Sequence, residues 1–347
     1  MLTKEQKIAL VTKNITEILT LEELEKLIDE NPKPKAYVGI EPSGLMHIGQ
    51  GIICAQKAKD LAEAGFEVVI LLADWHAFIN DKLGGSLENI KICAEYVKDC
   101  FLALGVDRKK TKFVYVSELV KKDSYWEKVL RISKCFSLAR MKRAMTIMGR
   151  KEEEAELDTS KIIYPAMQCA DIFELNIDLA FGGLDQRKAH VLAREVSDKL
   201  GWNKFVALHT PILPGLQAKG EEDIIEQKMS KSKPETCIFI HDGKEEMKKK
   251  ILSAYCPPKD ITNNPVIDIC SYLLFPAYEK IRFERKDASA LEVNLEDLLK
   301  FYSKGELHPL DLKLGVAEKL YELLAPVRKY FSDKPDNLER ILRIKER

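Results

Sequence analysis

The sequence shows no excess of either charge: in its 347 residues, 55 Lys and Arg stand against 55 Asp and Glu. That balance excludes a protein held to nucleic acid by bulk attraction; any such binding must use local patches. Long apolar runs are missing too. The longest, Val68 to Ala73, stops at Asp74, far short of the roughly 20 residues that cross a bilayer. The cysteines (54, 93, 100, 135, 169, 237, 256 and 270) never form C-x-x-C. This spacing argues against a metal site or redox pair and for small buried thiols in a reducing cytoplasm. Repeats and low-complexity tracts are also lacking. Met1 to Glu30 is amphipathic and contains acids, with no small-residue cleavage site, so it reads as helices of the mature protein rather than a leader.

What is present is a chain 46% apolar and 32% charged, the balance of a globular protein, with length for roughly two domains. Ala36 to Glu41 reads as a strand, Pro42-Ser-Gly44 as a turn and His47 to Gly65 as a helix. Phe66 to Trp75 is an apolar, β-branched strand, followed by a helix over Leu87 to Leu104 and a strand over Lys112 to Leu119. Ile177 to Gly183 reads as a further strand and Gln186 to Leu200 as a helix. Strands alternating with helices predict an α/β fold with a doubly wound parallel sheet. Beyond about residue 245 the spacing is helical with little strand signal, so we expect a catalytic domain over 1–245 and a smaller helical domain over 246–347.

Four segments carry chemistry. Pro42 to Gln50 lies between the first strand and its helix, the edge where ligands bind in such sheets. Gly44 permits a tight turn, Gly49 a close approach to backbone, and His47 opens the helix, where free N–H groups favour phosphate. Alone, this is also the pattern of an ordinary strand-to-helix turn. Lys228-Met-Ser-Lys-Ser232 suits a mobile loop that closes over a triphosphate, though most such runs are solvated loops. In Ile163 to Asp171, Tyr164, Gln168 and Asp171 recur at i, i+4 and i+7 on one helix face among apolar neighbours. Such a buried polar stripe either satisfies itself or lines a cavity for a small polar ligand. Gly182 to Lys188 is a second strand-to-helix turn, able to bring Asp185 and Gln186 to the same place.

Together, Pro-Ser-Gly-x-x-His-Ile-Gly and Lys-Met-Ser-Lys-Ser resemble the paired motifs of class I aminoacyl-tRNA synthetases. With Ala36 to Gly44, Leu71 to Ala77, Tyr164 to Asp171 and Gly182 to Lys188 in matching order, the chain resembles the tyrosyl-tRNA synthetases of the archaeal and eukaryotic kind. The resemblance implies a Rossmann-like catalytic domain. It also implies formation of tyrosyl-adenylate from L-tyrosine and ATP with its Mg2+, then transfer to the 3′ end of tRNA(Tyr). The nucleophile is the substrate's own carboxylate, so catalysis rests on positioning and on stabilising charge at the phosphates.

Carried over position by position, the family assigns the catalytic work to His47, Lys228 and Lys231. Gly44, Gly49, Gln50, Asp185, Met229, Ser230 and Ser232 complete the ATP site. Gln50 stands where the class has a second histidine, which keeps a hydrogen bond but no charge. Tyr37 and Asp171 match the pair around the substrate's hydroxyl; Tyr164, Gln168 and Gln186 match those around its ammonium, with Leu71 and His76 lining the pocket. Arg143, Arg187 and Lys188 match positions near the acceptor stem, within a basic cluster of Arg140 to Arg143 and Arg150-Lys151. Asp311 matches the position that meets the wobble guanine, while Phe283 lies out of register for the family's stacking aromatic. The resemblance also implies a cytoplasmic homodimer, joined through about 115–160. The sister tryptophanyl enzymes are an alternative, but indole has one N–H and no acceptor, leaving Tyr37 without a task. A non-catalytic RNA-binding paralogue is a second alternative; loss of a phosphate motif would favour it, and both motifs are present.

Overall fold

The computed structural model describes residues 2–148, 158–219, 227–231, 233–286 and 289–344. Among these, six strands form the main sheet: β1 (Glu17–Leu19), β2 (Lys35–Ile40), β3 (Glu67–Leu72), β4 (Thr111–Tyr115), β5 (Leu179–Gly183) and β6 (Val206–Thr210). Their order is β1-β6-β5-β2-β3-β4. β1 runs antiparallel to β6, and the other neighbouring pairs are parallel. From β2 the chain builds outward through β3 and β4, then returns to lay β5 on the other flank of β2. The crossovers therefore leave β2 and β5 in opposite directions, and a crevice opens at their carboxyl ends.

Successive side chains alternate between two apolar layers. Val38, Ile40, Val68 and Ile70 face helices Ile48–Glu63 and Leu87–Ala103. Tyr37, Val69 and Leu71 face helices Thr159–Glu174 and Arg187–Leu200. Covering on both faces explains why β3 reads as a continuous apolar run.

The expected strands differ at their ends. Phe66 to Trp75 stops being a strand at Leu72, and Asp74–Ile79 is a helix. The Asp74 carboxylate accepts the N–H groups of Trp75 and Ser117 at 3.0 and 2.9 Å, which turns the chain there. Lys112 to Leu119 likewise changes at Tyr115 into helix Val116–Leu119. β1 and β6 have no counterpart in the sequence reading; both are short, and β1 takes its conformation from pairing with β6.

The C-terminal part is mostly helical, with a hairpin of β7 (Ile281–Glu284) and β8 (Ala290–Val293) that the helical spacing did not predict. Phe283 is fully buried there against helix Pro309–Leu323; a Cβ at Gly315 would stand 2.5 Å from its ring. It packs a core and presents no face to a base. Tyr330 and Asn337 donate to the two carboxylate oxygens of Asp99 at 2.8 and 2.7 Å, clamping the last helices to helix Leu87–Ala103. No helix among the described residues is long and apolar enough to cross a membrane.

Beneath β5 and β6, His190 is buried with its Nδ1 3.1 Å from Nε2 of His209. Burial, then the neighbouring His209, pushes His190 down to about 3. In the unfolded chain it titrates near its ordinary value, so between about 3 and 6.5 the unfolded state binds a proton that the native state refuses. Stability contributed by neutral His190 is therefore full above 6.5 and falls as the pH drops, by roughly 2 kcal/mol at about pH 5. Asp268, pushed up to about 7 by burial, acts with the opposite sign, so the comparison must be with a variant. Urea unfolding at about pH 7.5 and about pH 5 should show that His190→Gln loses less stability on acidification than the parent; equal losses would refute this.

Candidate active site at the carboxyl ends of β2 and β5

The crevice is a cleft of about 530 Å3. Its closed end holds Tyr37 and Asp171. Tyr37 stands on β2 with its ring laid forward along the strand over Gly39, where a Cβ would stand 2.7 Å from the hydroxyl oxygen. Only bare backbone leaves room for it. Asp171, on helix Thr159–Glu174, is 1% exposed. Its Oδ1 accepts the hydroxyl of Tyr125 at 2.8 Å, and its Oδ2 lies 3.3 Å from Nε2 of His76. Burial raises Asp171 well above the usual carboxylate range and pushes His76 down to about 4. Both favour the neutral form, as expected where water is excluded.

Midway along, Glu41 faces Tyr164, whose hydroxyl donates to it at 3.4 Å. Asn80 donates to the same carboxylate at 3.0 Å, and Lys82 stands 3.7 Å away. Burial nevertheless raises Glu41, outweighing Lys82. Gln168 donates its amide to Gln186 at 3.0 Å, and its own carbonyl oxygen is buried with no partner among the described residues. The stripe of Tyr164, Gln168 and Asp171 thus faces a cavity and is not closed on itself.

The mouth is cationic. His47 caps helix Ile48–Glu63, its Nδ1 accepting the N–H of Gln50 at 3.3 Å. That leaves the neutral ring's proton on Nε2. Burial, then Lys231 and Lys228, pushes His47 down to about 3, so it serves as a neutral donor. Gly49 is crowded by His47 and Leu213, each 3.2 Å from where its Cβ would stand. Gly44, at φ +119°, makes the turn before them. Lys231 donates to Ser43 at 3.0 Å and is held below its usual range by burial. Lys228 pairs with Asp185 at 2.7 Å. The lysine loop is docked by backbone: Met229 N–H reaches the Leu213 carbonyl and Gly215 N–H the Gln227 carbonyl, both at 2.8 Å. Just beyond the loop, Ile238 accepts from Ile48 at 2.9 Å and Ile240 donates to Met46 at 3.1 Å, tying the two motif segments together.

Most of the site residues named from the sequence line this one cleft. Leu71 does not: it is fully buried in the apolar layer that Tyr37 and Tyr164 share. Gly44 shapes the turn without reaching the cavity, and Ser232 lies outside the described residues. Arg143 and Lys188 are exposed on the surface. Arg187 donates through Nε to both oxygens of Glu17 at 2.9 Å. Asp311 sits nearly buried in the first turn of helix Pro309–Leu323. Arg150 and Lys151 are outside the described residues, and Arg140 pairs with Glu195 at 2.8 Å. Sequence reasoning missed Glu41 and Tyr125. An acid ending an apolar strand at the ligand edge is a signal that could have found Glu41; Tyr125, within a polar amphipathic helix, carries none.

Dry acceptors at one end and cations with a neutral donor at the other suit a small polar molecule beside a polyphosphate. Residues 29–325 match the model of the family described as tRNA synthetases class I (W and Y). The chain is 52% identical over 343 residues to the tyrosine–tRNA ligase of Sulfurisphaera tokodaii, covering 96% of this chain and 94% of that protein. Among solved structures, the tyrosyl-tRNA synthetase of Aeropyrum pernix superposes with a TM-score of 0.89 at 43% identity, covering 98% of each chain. That of Pyrococcus horikoshii, complexed with L-tyrosine, superposes with a TM-score of 0.91 at 39% identity, covering 98% of this chain and 100% of that one. With the cleft at the switch point and both phosphate motifs on its rim, this chain belongs to the class I tRNA synthetases, and within them to the tyrosine–tRNA ligases of archaeal type.

Proposed function

We propose that this chain activates L-tyrosine with ATP to tyrosyl-adenylate and passes the tyrosyl group to the 3′ end of tRNA(Tyr). The observation that carries the reading is one cleft holding a buried carboxylate and phenol at its closed end and two lysines at its mouth. Tyrosine enters hydroxyl first: Asp171 accepts its proton and Tyr37 donates to its oxygen. Its ammonium meets Glu41, Tyr164, Gln186 and the unpartnered carbonyl oxygen of Gln168. A buried carboxylate and an orphaned acceptor are both relieved by a cation there. The substrate carboxylate then points toward the mouth, where it attacks the α-phosphate of ATP and displaces pyrophosphate.

Lys228 and Lys231 offset the charge on the phosphates, and His47 donates from Nε2 without carrying charge. Gly49, Gln50, Met229 and Ser230 shape the nucleotide site, and Asp185, released from Lys228, receives the ribose. Mg2+ arrives as the counter-ion of ATP. Among the described residues no group of three or more His, Cys, Asp or Glu gathers to hold a metal; the ion, bound with ATP, would help offset the charge on its phosphates. Exposed Arg143 and Lys188, with Arg187, receive the acceptor stem, and Asp311 reads the anticodon from a helical domain beginning near residue 246. Catalysis and thiols alike fit a cytoplasmic enzyme. The apolar side chains of Trp126, Leu130 and Leu138, 41%, 65% and 59% exposed, support a homodimer through this face; sedimentation at micromolar concentration should give twice the chain mass, and a monomer would remove the dimer.

Pyrophosphate exchange into ATP should depend on tyrosine, with tryptophan and phenylalanine far weaker. Asp171→Ala should abolish the preference for tyrosine over phenylalanine while ATP binding persists; exchange supported best by tryptophan would overturn the assignment. His47→Ala should slow adenylate formation by ~10²–10³. Because His47 is neutral far below its ordinary value, the wild-type rate should show no inflection from it near pH 6.5; an inflection that His47→Ala removes would contradict this.

A further inference from the structure

The two carboxylate oxygens of Asp171 are not equivalent. Oδ1 is occupied by Tyr125 at 2.8 Å, and Oδ2 alone, beside His76, is left for a ligand. Tyr125 is fully buried on helix Asp123–Lys134, which packs along helix Thr159–Glu174. Close beyond Asp171 on that helix, Glu174 receives Lys122 at 3.1 Å, Lys128 at 2.8 Å and Ser124 at 3.2 Å. These contacts hold the two helices in register, so the Tyr125 hydroxyl is a placed group.

That hydroxyl has one proton and two acceptors in range: Asp171 Oδ1, and the Met167 carbonyl at 3.3 Å. If the proton goes to Oδ1, Asp171 is a carboxylate able to accept from a phenol. If Asp171 is protonated, it donates to the Tyr125 oxygen and Tyr125 turns to Met167. The groups facing Asp171 are Tyr37 from β2, His76 and Asp74 from helix Asp74–Ile79, Tyr164 on its own helix, and Tyr125. Burial and Asp74 favour the protonated acid, while Tyr125 favours the carboxylate. We propose that Tyr125 is a positioning residue for substrate selection, holding Asp171 as the acceptor that the hydroxyl of tyrosine requires. The proposal rests on the reading that Asp171 meets that hydroxyl.

Tyr125→Phe keeps the buried ring and deletes the oxygen. In pyrophosphate exchange its kcat/KM for tyrosine should fall ~10- to 100-fold near neutral pH, the loss of a hydrogen bond to a buried charge. Most of the loss should appear in KM and should shrink as the pH is raised, because deprotonation of Asp171 then restores the acceptor. Activity with phenylalanine, the KM for ATP and the thermal midpoint should change little, so the preference for tyrosine narrows. An unchanged preference would overturn the proposal. So would equal losses for both amino acids with no pH dependence, the signature of a merely structural role. Asp171→Ala in the same assay separates the two readings. If it retains the preference, the role of Asp171 falls and that of Tyr125 with it; if it loses the preference while Tyr125→Phe keeps it, only Tyr125 is dismissed.

Discussion

The cleft depends on the divergence of two adjacent parallel strands. β2 and β5 share hydrogen bonds, but their crossovers leave in opposite directions, so the peptide after each strand has no neighbour to cover it. The turn after β2 becomes Glu41 to His47, and the turn after β5 becomes Gly182 to Gln186. Separate these strands by one more and the two turns would line different crevices. The helix carrying Tyr164, Gln168 and Asp171 packs against the layer containing Tyr37, which brings a third segment to the same wall.

The cleft is graded from dry to charged. At the closed end, burial favours uncharged forms of Asp171 and His76. At the mouth, two lysines surround a histidine that they help keep neutral. The gradient is held by backbone rather than side chains. Ile238 and Ile240 bond to the backbone at Met46 and Ile48, which fixes the segment beyond the lysine loop against the turn that carries His47.

Much of this arrangement was legible in the sequence because the relevant signals are local. A glycine that must sit at positive φ, a histidine that must cap a helix and polar residues spaced by one helix turn each announce themselves within ten residues. Tyr125 does not, since its partner lies 46 residues away and its own helix shows only ordinary amphipathicity. Leu71, placed at the pocket by resemblance alone, is fully buried beside Tyr37, a depth that a strand buried on both faces does not reveal in its sequence. β1 was invisible for another reason: its residues become a strand through pairing with β6, a long-range contact that no short window contains. The hairpin of β7 and β8 was hidden likewise, and with it the packing role of Phe283.

The ion pair between Lys228 and Asp185 gives the free protein an internal occupant for its own nucleotide site. If the ribose takes Asp185, ATP must first displace the lysine that later serves it, and its affinity becomes a difference between two partners of one carboxylate. A change in the surroundings that strengthens or weakens the resting pair would then retune that affinity while leaving Lys228 and Asp185 themselves in place. Gly215, which holds the loop through the Gln227 carbonyl without lining the cleft, would then bear on that affinity at second hand.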